Sequence, residues 1–248
     1  MVLSFGGAEI GVRCNDVAVL AQLERRFSLA WSIRRCGNDT VEHLYSLKVG
    51  APARRPGVRN YHLVHAGTAQ IARTLDLEEA VRALEQSLLG DLGFMAQDGL
   101  FLKAGVCVSQ GAALVITGES GAGTSTLLDA LVRQGATYYS DAYAVINDEG
   151  LVCPFSVPFP SFDGKRAADE PVDLGAFLWM QYQPHVEGVD LSRLPLGMAA
   201  LKLTARCPGL TAQRMTQLAK LVERTPFWEG VRGDSALASR HLLQTLGT

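Results

Sequence analysis

Apolar and polar positions alternate through much of the first part of the chain. Residues 8–14, 31–34, 42–49 and 60–65 each alternate as half-buried strands do, separated by the turn at 37–39 and the loop at 50–57. Between the first two, residues 16–27 have helical spacing, with Asn15 or Asp16 placed to cap the helix. The clearest helix is 76–89, with Leu77, Val81, Leu84 and Leu88 on one stripe and acids in its first turn. Residues 100–108 read as one strand, and Ser109-Gln110-Gly111 as a hairpin turn that sends it back antiparallel to the next strand. That next strand, 112–116, is apolar without alternation, as expected of a strand buried on both faces of a sheet. Helical spacing follows at 126–132, 195–203, 211–224 and 235–243, and strands are expected near 143–147, 174–182 and 227–231. The pattern predicts an α/β protein with a mixed sheet flanked by helices: a small N-terminal α+β module with its bridging helix over residues 1–90, and a core over 91–248.

Between the strand at 112–116 and the helix at 126–132 lies Gly118-Glu119-Ser120-Gly121-Ala122-Gly123-Thr124-Ser125. It fits the phosphate-loop pattern G-x-x-x-x-G-K-S/T except that Thr124 stands in the lysine position. Gly118, Gly121 and Gly123 permit positive φ and close backbone approach, so successive N–H groups can line an anion-sized nest. Ser125 is a candidate Mg²⁺ ligand, and Thr126 opens a helix whose N-terminus points at the same anion. Asp141, where the following strand begins, is a second candidate for Mg²⁺ or for accepting a substrate hydroxyl proton.

The strand around Phe101-Leu102-Lys103, the GESGAGTST loop, the Ser140-Asp141 pair and the proline-interrupted segment 153–160 together resemble the HPr kinase/phosphatase-related family. The resemblance is clearest over residues 101–160, about a quarter of the chain. It implies a P-loop serine-kinase core related to phosphoenolpyruvate carboxykinase, with ATP or another nucleotide and Mg²⁺ as cofactors, a protein or ribosomal-peptide partner, and a homo-oligomer. Gly118, Gly123, Ser125, Ser140 and Asp141 match the family pattern. Lys103 stands where the family has histidine, Thr124 where it has lysine, and Ala142 where it has a second acid. Losing one preorganised charge contact costs about 10²–10³ in rate, so a fast kinase is not expected. Two outcomes stay open: a pseudokinase that serves as a partner-binding or regulatory subunit, or an atypical kinase in which Lys103 replaces the missing charge.

Composition narrows the classes. A formal net charge of -2 and a pI near 6.2 argue against a nucleic-acid binder working by bulk electrostatics. No apolar run reaches membrane-spanning length and no secretory leader is apparent, so a cytoplasmic protein is expected. Cys14, Cys36, Cys107, Cys153 and Cys207 lack C-x-x-C spacing and suggest neither a disulfide framework nor a zinc site. Arg54, Arg55 and Arg59 form a basic loop able to contact an acidic partner, and Lys165 and Arg166 are candidate contacts for phosphate or partner.

Overall fold

The computed structural model describes residues 1–28, 31–35, 41–51, 59–155 and 170–246. Arg54, Arg55, Lys165, Arg166, Cys36 and the end of the proline-interrupted segment lie outside the described residues. The chain is mixed α/β, with mixed sheets flanked by helices, and divides into two compact units, Met1–Gln97 and Asp98–Thr248. No helix among the described residues is long and apolar enough to cross a membrane.

The first unit contains β1 (Val2–Phe5), β2 (Ala8–Cys14), α1 (Val17–Phe27), β3 (Ser32–Arg34), β4 (His43–Lys48), β5 (His62–Ala66), β6 (Ala69–Thr74) and α2 (Leu77–Met95). The strands form one sheet in the order β3-β1-β2-β4-β5-β6, antiparallel except for β2 and β4. Asp16 caps α1 by accepting from the N–H groups of Ala18 and Val19, and Asp76 caps α2 in the same way from Glu78 and Glu79. An ion pair of 2.7 Å from Arg26 to Glu85 ties the two helices side by side. They therefore cover the same sheet face, where Leu47, Val64, Leu84 and Leu88 are buried. The opposite face carries Arg13, Ser46, Lys48, Leu63, His65 and Arg73, none of them buried. The alternating pattern of β4 and β5 records this one-sided burial.

The second unit runs β7 (Leu100–Lys103), β8 (Gly105–Ser109), β9 (Ala112–Thr117), α3 (Thr124–Arg133), β10 (Thr137–Ser140), β11 (Tyr143–Ile146), β12 (Val152–Cys153), β13 (Asp173–Tyr182), β14 (Val189–Arg193), α4 (Leu196–Thr204), α5 (Ala212–Arg224), β15 (Phe227–Arg232) and α6 (Ser235–Leu246). Its main sheet has the order β10-β8-β9-β13-β15-β14, and a smaller one the order β12-β11-β7. Val115, Phe177 and Trp179 pack on one side of the main sheet with residues of α4, α5 and the smaller sheet. Leu114, Ile116, Leu178 and Met180 pack on the other with α3 and α6. Burial on both faces explains the unbroken apolar run of β9.

One expected strand divides. Residues 100–108 break at Ala104, because the Lys103 N–H turns to the Arg206 carbonyl at 2.8 Å while Ala104 reaches the Ala142 carbonyl. The chain thereby passes from the smaller sheet, as β7, into the main sheet, as β8. The expected hairpin is present: β8 returns antiparallel to β9 through Gln110 and Gly111, both at positive φ, 51° and 84°. The interior strand β1 and the edge strands β6 and β14 were not expected from the pattern, since each is short or polar, and the partner of β14 lies beyond two helices.

Candidate functional site

Strand direction in the main sheet gathers the candidate residues. β9, β13 and β15 are mutually parallel, and β10, antiparallel to β8, runs the same way as β9. The loop after β9, Asp141 after β10, Tyr182 at the end of β13, Arg232 at the end of β15 and Lys103 just before β8 therefore share one sheet edge. This is the carboxyl edge, where open α/β sheets form ligand crevices.

The glycine loop is shaped by its neighbours. Thr117, closing β9, donates its hydroxyl to the Lys103 carbonyl at 2.9 Å. A Cβ on Gly118 would lie 2.3 Å from the Met180 carbonyl oxygen, so only glycine lets β13 pass this close. The Ala122 N–H closes the turn on the Glu119 carbonyl at 3.0 Å. Gly123, at φ 72°, then precedes α3 in the left-handed conformation, and this alternation of left- and right-handed residues turns successive N–H groups inward. No side chain caps α3, and the N–H groups of Thr124, Ser125 and Thr126 have no acceptor among the described residues. Ser120, Gly121, Ser125 and Thr126 are exposed, and the space beside Gly121 is open. Thr124 does not extend into that space as a lysine would. Its γ-methyl lies against β8, 3.3 Å from where a Gly105 Cβ would stand.

Arg232 is the residue that sequence reasoning missed. It is 2 % exposed, and its Nη2 donates to the Gly123 carbonyl at 2.7 Å across 109 positions of sequence. Its Nη1 donates to the Gly233 carbonyl at 3.0 Å and the Ser235 hydroxyl at 2.9 Å, and its buried Nε has no partner among the described residues. The guanidinium also lies 5.3 Å from the centre of the Tyr182 ring. No carboxylate pairs with it among the described residues. Asp234, its neighbour in sequence, instead caps α6 through the N–H groups of Ala236 and Leu237. Burial pushes the guanidinium below its usual value, and charge buried without a counter-ion is costly. A lone arginine ending a strand carries no sequence signal; parallel pairing of β13 with β15 brings it under the loop.

Ser140 is 1 % exposed, and its hydroxyl accepts from the N–H groups of Ala142 and Tyr143, both at 3.2 Å, fixing the turn that presents Asp141. Asp141 accepts from the Tyr138 hydroxyl at 3.2 Å. Burial pushes its carboxyl up to about 6, against the partial relief that this hydrogen bond gives. Lys103 needs correction. Its strand, β7, pairs with β11 and not with β9, whose neighbours are β8 and β13. The Lys103 carbonyl meets β9 at Thr117, while its side chain is exposed.

The fold and this edge define a mixed α/β protein with a strand, glycine loop and helix at the carboxyl edge of its larger sheet. Comparison with protein-family models and with curated proteins found no match.

Proposed function

We propose that this edge binds the phosphates of ATP or another nucleotide, and that the protein is a degenerate HPr-kinase-like subunit recognising a protein or peptide partner. The observation that carries the reading is Arg232, a buried guanidinium in no ion pair among the described residues, hydrogen-bonded to the carbonyl of the glycine that opens α3. Its charge reaches the loop from behind and favours an anion at the first-turn amides, partly replacing the absent lysine. Gly121 leaves the anion open space, Gly118 and Gly123 let β13 and Arg232 close against the loop, and Ser120, Thr124, Ser125 and Thr126 supply amides or hydroxyls. Exposed Tyr182 flanks the loop as an aromatic surface for a base. One hydroxyl and one carboxylate, Ser125 and Asp141, would hold Mg²⁺, which suits hard oxygen donors and neutralises phosphate charge when bound.

A second reading, slow phosphoryl transfer to a hydroxyl of a peptide or protein, is favoured by one observation. A carboxyl raised to about 6 is ionised yet basic near neutral pH, as a general base should be. In that reading the exposed Lys103 side chain, on β7, supplies the missing charge.

Calorimetric titration of ATP and GTP, with and without Mg²⁺, tests the binding reading. Saturable binding is expected, weakened about tenfold or more by Arg232→Met, the scale of a lost charge-assisted contact. Ser125→Ala with Asp141→Ala should remove the Mg²⁺ dependence. Absence of saturable binding at millimolar nucleotide to folded protein overturns the reading.

A further inference from the structure

A basic groove lies wholly within the first unit. On the sheet face opposite α1 and α2, Lys48 of β4, Leu63 of β5 and Arg73 of β6 are direct cross-strand partners and form one row. With Arg59, Tyr61 and Gln70 they line a groove of about 500 Å³. Among the described residues no acid lines it, and Lys48, Arg59 and Arg73 make no ion pair. Three unpaired cations converge here in a chain whose formal net charge is -2.

The groove is built rather than incidental. The Arg73 guanidinium lies 4.1 Å from the centre of the Tyr61 ring, which holds it over the groove. Its wall is pinned from two sides. Asn15 accepts from the Val49 N–H at 2.6 Å and donates to the Val49 carbonyl at 3.1 Å, and Asn60 donates to the Ala51 carbonyl at 2.8 Å. A Cβ on Gly50 would lie 2.4 Å from the Asn60 carbonyl oxygen, so glycine lets the two wall segments meet.

We infer that this groove docks an extended acidic segment of a protein or peptide partner. Lys48 and Arg73 stand two strands apart, about 10 Å between backbones, and alternate side chains of an extended chain repeat every ~6.8 Å on one face. Successive carboxylates of such a segment reach both cations, with Leu63 as an apolar floor between them; one phosphate spans too little. The inference extends the partner-binding half of the function proposed above and is independent of its nucleotide half. A protein that binds this segment but no nucleotide sinks only the nucleotide half.

Fluorescence anisotropy with a labelled peptide carrying glutamate at alternate positions tests it on the full chain. Saturable, salt-sensitive binding is expected, weakened about tenfold or more by Lys48→Glu with Arg73→Glu. The milder Arg59→Gln with Arg73→Gln should weaken it in the same direction, and Lys220→Glu on α5 should leave it unchanged. No saturable binding at low salt, equal affinity in the charge-reversed protein, or tighter binding of a single-stranded oligonucleotide of equal charge overturns the inference.

Discussion

The sheet of the first unit has helices on one face, whereas the main sheet of the second is packed on both, and each places its polar groups accordingly. With both faces occupied, the second unit can present polar groups only at the sheet edge. It does so through backbone amides, three glycines and one buried guanidinium. The first unit keeps a free face and fills it with long, exposed cations in cross-strand register. Backbone amides gathered in a turn select small, compact charge. Side chains on an open face are adaptable and suit an elongated ligand.

The largest test of this contrast is stability. Phe177→Ala at the centre of the doubly covered sheet should cost about 3–5 kcal/mol, whereas Leu63→Ala on the open face should cost about 1 kcal/mol or less. Urea denaturation followed separately for each unit measures both, and equal losses would break the comparison. Next comes the half-buried Asp141 carboxyl. Asp141 is protonated more readily in the folded protein than in the unfolded chain, so its ionisation penalises folding; the penalty is absent below its unfolded value of 3.8 and complete above about 6. Asp141→Asn should therefore gain about 3 kcal/mol on the parent as pH rises through that window, read as diverging melting temperatures. If the two melting curves stay parallel, Asp141 is not desolvated at the edge.

Helix capping gives a smaller effect. Asp16→Ala removes the acceptor for the Ala18 and Val19 amides and should cost about 1 kcal/mol, confined to the first unit's transition. Smallest of all, Lys48→Gln with Arg73→Gln should shift stability by no more than about 0.5 kcal/mol. Chemical denaturation settles this, and a larger loss would mean that these cations hold the open face together.

How much was legible follows from the range over which each signal acts. Asp16 and the stripe of α2 could be read because a cap and its helix, or the residues of one stripe, lie within a few positions of each other. The glycine loop was legible for the same reason. The break at Ala104 was not, because it depends on carbonyls of Ala142 and Arg206, remote in sequence. The polar edge strand β14 escaped because its partner β15 follows only after two helices.

The sequence by itself determined a short apolar strand, a glycine loop able to adopt positive φ, a helix after it, and Asp141 near the start of a following strand. Those features are local consequences of side-chain size, branching and missing Cβ atoms. Only tertiary structure decided what charge stands at the loop. Parallel pairing of β13 with both β9 and β15 carried Arg232 beneath Gly123, moved Lys103 onto another sheet, and turned Thr124 against β8. Strand pairing joins residues a hundred positions apart, and no periodicity within either strand specifies its neighbour.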